Sequence, residues 1–488
     1  MEPPSNTAAV ALSLPELVSR ILAFCFHVGD GEDPRVCSAL VAAIRVNRLW
    51  FDCGTEQLWS VPNASIHLRA VPPERQQIYA FKIENVEVWY TDAHRHWSAF
   101  RNLEFRRLKR LTATVPSNAS FCIHQIKHFC VRSLQSFDFD GPLVSAEMLG
   151  LLREKCPNLK YIRLHMHKHP ATTAPFAEFI RNMPLLETFV FKAAMAPKSS
   201  TCLIDGDLLA SLARRKNLTT LQVPWDWPMS AADEASQRLV GLGSDREVRP
   251  FPSLVKLTLS APSNAMQKLA LLLKNLGCLR LTVDETDADA IEPLRELVNL
   301  TTLEVTFKKA VDIPGASIAA LATLSKLEAL QMKSLHPILI RITSSFSDAD
   351  LELVASHWPR LRSLTFGINC AVSASGFQSL GLHCRELRQW EIAGPLQVDE
   401  LLPIGFRDVV LFPKLEYLRF EGFAGVVYDR DSSWVGLLYF HCLFDYHFPQ
   451  LKEIVTPHCR IRLNEHAFTE TMLYEARHRR APSFPGGS

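Results

Sequence analysis

One short pattern of apolar positions, L-x-x-L-x-L with loose apolar substitution, keeps returning along this chain. It reads LKYIRL at Leu159–Leu164, LETFVF at Leu186–Phe191, LTTLQV at Leu218–Val223, LVKLTL at Leu254–Leu259 and LTTLEV at Leu300–Val305. It reads LEALQM at Leu327–Met332, LRSLTF at Leu361–Phe366, LRQWEI at Leu387–Ile392 and LEYLRF at Leu415–Phe420. Weaker copies begin at Ile83, Leu108, Leu134, Leu276 and Leu451. The fourteen anchors lie 22 to 36 residues apart, about 28 on average, so the chain is built by irregular repetition.

The alternation at the end of each copy predicts a short strand with one face inward. Helical segments precede many copies, such as AEMLGLLREK (Ala146–Lys155) and DLLASLARRK (Asp207–Lys216). A proline in CPNL, MPLL, FPSL, WPRL, FPKL or FPQL then stops the helix and turns the chain into the next strand. One such unit cannot cover its own apolar face, whereas stacked units share a continuous core. The sequence resembles irregular leucine-rich-repeat proteins over roughly residues 80–460. That implies an α/β solenoid with parallel strands on the concave face and helices on the convex face. With strands about 4.8 Å apart, fourteen span roughly 65 Å, a scale that suits a protein partner better than a metabolite. Trp225–Pro250 and Glu421–Phe448 each lengthen one repeat.

The N-terminal region follows a different period. Leu14, Leu17, Val18, Ile21, Leu22 and Cys25 share one helical face, opened by Ser13 and Glu16 at capping-box spacing with Pro15 in the first turn. After the polar loop HVGDGED, Asp33-Pro34 opens a second helix carrying Val36, Cys37, Leu40, Val41 and Ile44. Asn47 allows a break before a third segment with Trp50, Phe51, Leu58 and Trp59. A core of three short helices is marginal alone, yet this segment holds more aromatic bulk than its interior needs. LPELVSRIL…ALVAAIRVNRLWFDCGTEQLW resembles an F-box in the variant common among fungal F-box proteins. The resemblance implies docking on the Skp adaptor of a Skp–cullin–F-box ubiquitin ligase, through Leu14, Pro15, Leu17, Ile21, Val46, Trp50, Leu58 and Trp59. The link CFHVGDGEDPRVCS is longer and more acidic than in the compact box. The alternative is a helical cap over the open end of the solenoid. The expected layout is a disordered 1–11, an F-box-like 12–62, a repeat solenoid over 63–465, and a C-terminal helix with a disordered basic tail over 466–488.

The 488 residues are 47% hydrophobic and carry a formal net charge of +2, which gives no global field for nucleic acid or anionic membrane. No apolar run of 18 residues marks a transmembrane helix, and the N-terminus lacks the features of a secretory leader. Twelve scattered cysteines without CxxC pairs read as small apolar core residues, so cytoplasm or nucleus is expected. Strand residues between the inward apolar ones predict the concave surface. They include Asp138, Asp140 and a basic patch at Arg163, His165, His167 and Lys192, with Arg280 and Glu304 further along. Arg163, His165, His167, Lys192, Arg280 and Glu304 are the candidate target-binding residues.

Three clusters raise the question of chemistry. CIHQIKHFC places His124 and His128 on one face if helical, but has no second ligand pair and reads as one repeat's helix. HMHKH, His165–His169, reads as an exposed polar strand edge and pH-sensitive contact surface. DETDADA lacks the glycine and closing glutamate of a calcium loop. With no nucleotide, phosphate-binding or nucleophile-elbow motif, the chain is expected not to be an enzyme and to use no metal or cofactor. Three readings follow. One is a receptor holding the Skp adaptor, and through it a cullin, together with a target protein. The second is a leucine-rich-repeat scaffold without a ligase. The third is a small-molecule sensor, whose mark would be an accessible cavity walled by concave residues.

Overall fold

In the computed structural model the described residues are 12–27, 41–60, 68–89, 100–116, 126–167, 174–193, 206–226, 230, 233–234, 250–283, 290–336, 340–369, 373–393, 395–397, 409–420, 422–424, 446–456 and 459–462. The termini at 1–11 and 466–488, most of the second predicted helix and most of both lengthened repeats lie outside them. The chain divides into two compact units, Met1–Leu203 and Ile204–Ser488.

The first unit opens with helices α1 (Pro15–His27), α2 (Arg48–Ser60) and α3 (Pro73–Ala80). Five strands follow: β1 (Asn85–Trp89), β2 (Arg110–Thr114), β3 (Ser136–Gly141), β4 (Tyr161–Met166) and β5 (Thr188–Ala193). They pair in sequence order, all parallel. Helix α4 (Ala146–Lys155) connects β3 to β4, and α5 (Ala174–Arg181) connects β4 to β5. The Ser145 side chain accepts the Met148 N–H to cap α4.

The second unit repeats the plan, beginning with α6 (Gly206–Ala213), β6 (Thr220–Asp226) and β7 (Lys256–Ser260). Helix α7 (Ser263–Leu272) leads to β8 (Cys278–Val283), followed by β9 (Thr302–Phe307) and β10 (Val311–Ile313). Next come α8 (Gly315–Ala319), β11 (Ala329–Ser334), β12 (Ile342–Ser344), α9 (Asp348–His357), β13 (Ser363–Phe366) and α10 (Ala374–His383). The unit closes with β14 (Gln389–Ile392), β15 (Pro395–Gln397), β16 (Tyr417–Arg419), β17 (Gly422–Ala424), β18 (Glu453–Thr456) and β19 (Cys459–Arg462). Strands β6, β7, β8, β9, β11, β13, β14, β16 and β18 form a parallel sheet in that order. β19 turns back against β18, antiparallel. The pairs β10–β12 and β15–β17 are two further short parallel ladders.

Each unit is a run of leucine-rich-repeat solenoid in which the fourteen sequence anchors each lie two residues before a strand. The ladder keeps equivalent positions opposite one another: Val86, Leu111, Phe137, Ile162 and Phe189 are successive partners in unit 1. All five are fully buried. Unit 2 has a matching apolar column of its own, through Leu257, Leu279, Leu303, Leu330 and Leu364. Within each unit the carbonyl before a strand accepts N–H groups from the next repeat, as Lys109 does from Gln135 and Ser136 at 2.8 and 2.9 Å. Aromatic bulk fills the far end of unit 2, where Phe377 lies 4.6 Å from Trp390 and 5.1 Å from Phe412. The stretch CIHQIKHFC, predicted as helix, carries a 3-10 turn at Lys127–Phe129 instead, and Glu292–Glu296 is likewise a 3-10 helix. Cys53, Cys130, Cys156 and Cys384 are buried, as small apolar core residues are.

Candidate functional site

Two surfaces carry the residues singled out from the sequence. On α1, Val18 and Leu22 turn inward and form a small core with Cys53 of α2. Ala43, Leu49, Trp50 and Leu58 pack against that core. Gly54 allows the close approach: a Cβ there would lie 2.3 Å from Cγ2 of Ile44. Asn47 caps α2 by accepting the Trp50 N–H at 3.0 Å.

The rest of the apolar face of α1 points to solvent. Leu14, Leu17, Ile21 and Phe24 are 45, 37, 38 and 72% exposed. Pro15 is exposed beside them, and Val46 is exposed at 63% before α2. Trp50 and Leu58 therefore sit half-buried against the small core of the N-terminal helices, while Trp59 stacks on Tyr79 of α3 with ring centroids 4.8 Å apart. Helix α2 is further tied to the first repeats. Lys82 Nζ donates to Thr55 Oγ1 at 2.6 Å, Asn85 donates to the Ser60 carbonyl at 2.6 Å, and Arg107 pairs with Glu56 at 2.9 Å.

The second surface is the polar side of the strands. Register sets Asp138 opposite Arg163, and Asp140 opposite His165, which is in turn opposite Lys192. Arg163 reaches Asp138 at 3.3 Å. Burial raises the Asp138 carboxyl above its ordinary range, and the Asp140 charge adds to that rise against the opposing pull of Arg163. His165 Nδ1 lies 3.1 Å from one Asp140 oxygen, and His167 Nε2 lies 2.7 Å from the other. In the second unit Arg280 Nε pairs with Glu304 at 2.9 Å. The expected basic patch is thus countered from β3, because register places two aspartates against it. Nor are His165 and His167 at a sheet edge: β4 is paired on both sides, and both rings are half-buried. His169 lies outside the described residues.

Of the remaining candidates, His124 and most of Asp284–Ala290 lie outside the described residues. His128 sits in a 3-10 turn rather than the expected helix, its ring 4.0 Å from Phe129, with neither ring nitrogen hydrogen-bonded. Burial above all, helped by Arg101 and Lys127, pushes it down to about 4. In unit 2 a cavity of about 20 Å³ is lined by Phe346, Leu351, Trp358, Phe366, Leu380 and Trp390, among other apolar side chains. That is room for about one water, and its walls are core residues rather than polar strand-face residues. The sensor's expected mark is therefore not what this cavity provides.

The apolar stripe of α1 lay within the sequence's single helical face, yet its exposure depends on tertiary packing. Asp140 as the partner of both histidines was legible in principle. It follows its anchor Leu134 by six residues, as His165 follows Leu159. No helix among the described residues is long and apolar enough to cross a membrane.

No known family profile matches the sequence, and no curated protein matches it. Among solved structures, a chain of the crystal structure of the Rad7 and Elc1 complex in yeast is similar at 13% identity with a TM-score of 0.42. The alignment covers 83% of this chain and 97% of that one.

Proposed function

We propose that this chain is the substrate-recognition subunit of a Skp–cullin–F-box ubiquitin ligase. Its N-terminal helices hold the Skp adaptor, and through it a cullin, while the strand face of the repeats holds a target protein. The observation that carries this reading is the stripe Leu14, Leu17, Ile21 and Phe24, four large apolar side chains left in solvent along one helix. An apolar helical stripe of that length is what a helix-in-groove or helix-on-helix contact buries. Leu14, Pro15, Leu17, Ile21 and Val46 are the exposed members of the adaptor set. Trp50, Leu58 and Trp59 act behind them by holding the box together and fixing it to α3.

The chain itself performs no chemistry in this proposal and needs no cofactor. It raises the effective concentration of target lysines near the transfer site. Arg163, His165, His167, Lys192, Arg280 and Glu304 are the target-facing residues, at work in the cytoplasm or nucleus.

The Trp59–Tyr79 stack and the Lys82, Asn85 and Arg107 ties favour a second reading, a helical cap on a repeat scaffold without a ligase. Co-expression with a Skp adaptor separates the two. A stable complex with the wild type, lost in a Leu14→Ser, Leu17→Ser, Ile21→Ser variant of unchanged thermal stability, is the expected result. A well-folded wild type that forms no complex hands the chain to the scaffold reading.

A further inference from the structure

We propose that Asp140, His165 and His167 form a binding site for a divalent transition-metal ion of the zinc class on the strand face of the first unit. The argument begins with periodicity. His165 lies in β4 and His167 one residue past its end, where its N–H still donates to the Gly141 carbonyl at 2.8 Å, and both imidazoles stand on the face that carries Asp140. Asp140 occupies the register position opposite His165 on β3, between the two rings. Each carboxylate oxygen already meets a different imidazole nitrogen, at 3.1 and 2.7 Å. One donor atom from each of the three residues lies within 4.8 Å of the other two.

The donors lie within side-chain reach of the spacing an ion needs. Tetrahedral zinc with bonds of about 2.0 Å to nitrogen and oxygen holds its donors roughly 3.3 Å apart. The two carboxylate–imidazole spacings, 3.1 and 2.7 Å, run to different Asp140 oxygens, so an ion held by one oxygen and both nitrogens needs donors now within 4.8 Å of one another to shift by up to about 1.5 Å. Two nitrogens and one carboxylate oxygen are also a donor set that zinc and its late first-row neighbours take, in preference to calcium or magnesium.

The charge around the site is mixed. Asp138 adds negative charge on β3 but is engaged with Arg163, and Lys192 stands opposite His165 on β5. The rings are 33 and 26% exposed, so a fourth coordination position opens to solvent on the face the repeats offer to a partner. His167 Nδ1 is enclosed without a hydrogen-bond partner, so no outer acceptor braces that ring from behind. A site with three protein donors, an open position and one unbraced ring exchanges its ion; it does not hold the fold together. A donor from a bound partner can complete the coordination. The metal site stands or falls separately from the ligase reading, because its ligands are all in this chain.

Cobalt(II) is the probe, titrated into the purified full-length chain under reducing conditions and followed by visible absorption. One equivalent of cobalt is expected to give d–d bands of nitrogen and oxygen coordination, bleached by one equivalent of zinc. His165→Ala and His167→Ala should each abolish the bands. Asp140→Asn keeps the shape and a hydrogen-bonding carbonyl but should weaken binding by more than the roughly 10–100-fold that loss of an outer hydrogen bond costs. The exposed His383→Ala should leave the titration unchanged. Wild-type protein without d–d bands, bands that survive His167→Ala, or near-ultraviolet thiolate charge transfer from the cysteines would each overturn the proposal. Circular dichroism melts of all variants separate lost coordination from lost folding, and Asp140→Asn carries the test if a histidine variant unfolds.

Discussion

Helix α1 and strand β4 belong to the same unit, and each presents a generous apolar set, but the two sets meet different fates. In β4, Ile162, Leu164 and Met166 are all fully buried, because β3 and β5 supply matching positions on either side and α4 and α5 flank it in the chain. In α1 the apolar residues spread over about 160° of the helix at 100° per residue. Among its described side chains Val18 and Leu22 are covered, while Leu14, Leu17, Ile21 and Phe24 are left out. A repeat guarantees cover for its neighbours, since the same positions recur in register. Helix α1 has no such neighbours in register, and four of its large apolar side chains stay exposed. The same holds for polar groups: on the strands, charges face countercharges at register spacing, as Arg163 faces Asp138 and Arg280 faces Glu304.

The repeat side of this contrast breaks hardest where the core is most filled. Trp390→Ala removes an indole that is 2% exposed and lies between Phe377 at 4.6 Å and Phe412 at 5.3 Å. It sits beside an existing cavity, so the emptied space enlarges a void that the neighbours cannot easily close. A loss of about 3–5 kcal/mol in urea-unfolding stability is expected. A loss below about 1 kcal/mol would show that the end of unit 2 collapses around the gap and is not packed as a repeat core.

His128 probes the same core through pH. Its folded-state value of about 4 lies below the 6.5 of an unfolded histidine. Above pH 6.5 neither state binds the proton and the residue has no effect. Between 6.5 and 4 the unfolded chain takes up a proton that the folded chain refuses, so stability falls as pH falls, and below 4 the loss is complete. The loss is at most about 3 kcal/mol. His128→Leu should remove this contribution. The stability difference between variant and wild type should therefore grow in the variant's favour from pH 7 to pH 4.5. A difference independent of pH would show the ring to be protonated equally in both states.

The N-terminal helices are themselves sensitive at Gly54. A methyl group there meets Ile44 at 2.3 Å and must push the second helical segment away from α2. Gly54→Ala should cost about 2 kcal/mol despite its better helix propensity. Adding Ile44→Ala should recover part of that loss, a coupling that two independent sites would not show. Additive effects in the double variant would mean that the two helices are not in contact.

How much of this was legible in the sequence depends on the range of the interaction. Every main strand follows its anchor by two residues, because the L-x-x-L-x-L spacing is enforced locally by alternation and by the proline turn before it. The short ladders β10–β12 and β15–β17 escaped notice, since three residues are too few to show a period. Trp59 looked like a free anchor because its partner Tyr79 stands in a stretch without any repeat pattern. The Asp140 cluster lies between these cases. His165 and His167 were visible as an alternating pair, but their carboxylate is 25 residues earlier than His165 and is found only by carrying the repeat register across.

The smallest expected effect on stability is also the sharpest test of the contrast. Leu17 and Ile21 are 37 and 38% exposed and are not part of the Val18–Leu22–Cys53 core. Leu17→Ser and Ile21→Ser should each shift unfolding by no more than about 0.5 kcal/mol, as surface substitutions do. Val18→Ser, one residue away and fully buried, should cost well over 1 kcal/mol through lost burial and an unsatisfied hydroxyl. If Leu17→Ser proves as costly as Val18→Ser, the stripe is covered within the chain and no partner is required to explain it. If the two differ as expected, α1 carries a row of large apolar side chains that adds little to the chain's own folding stability. Such a row is then available for association.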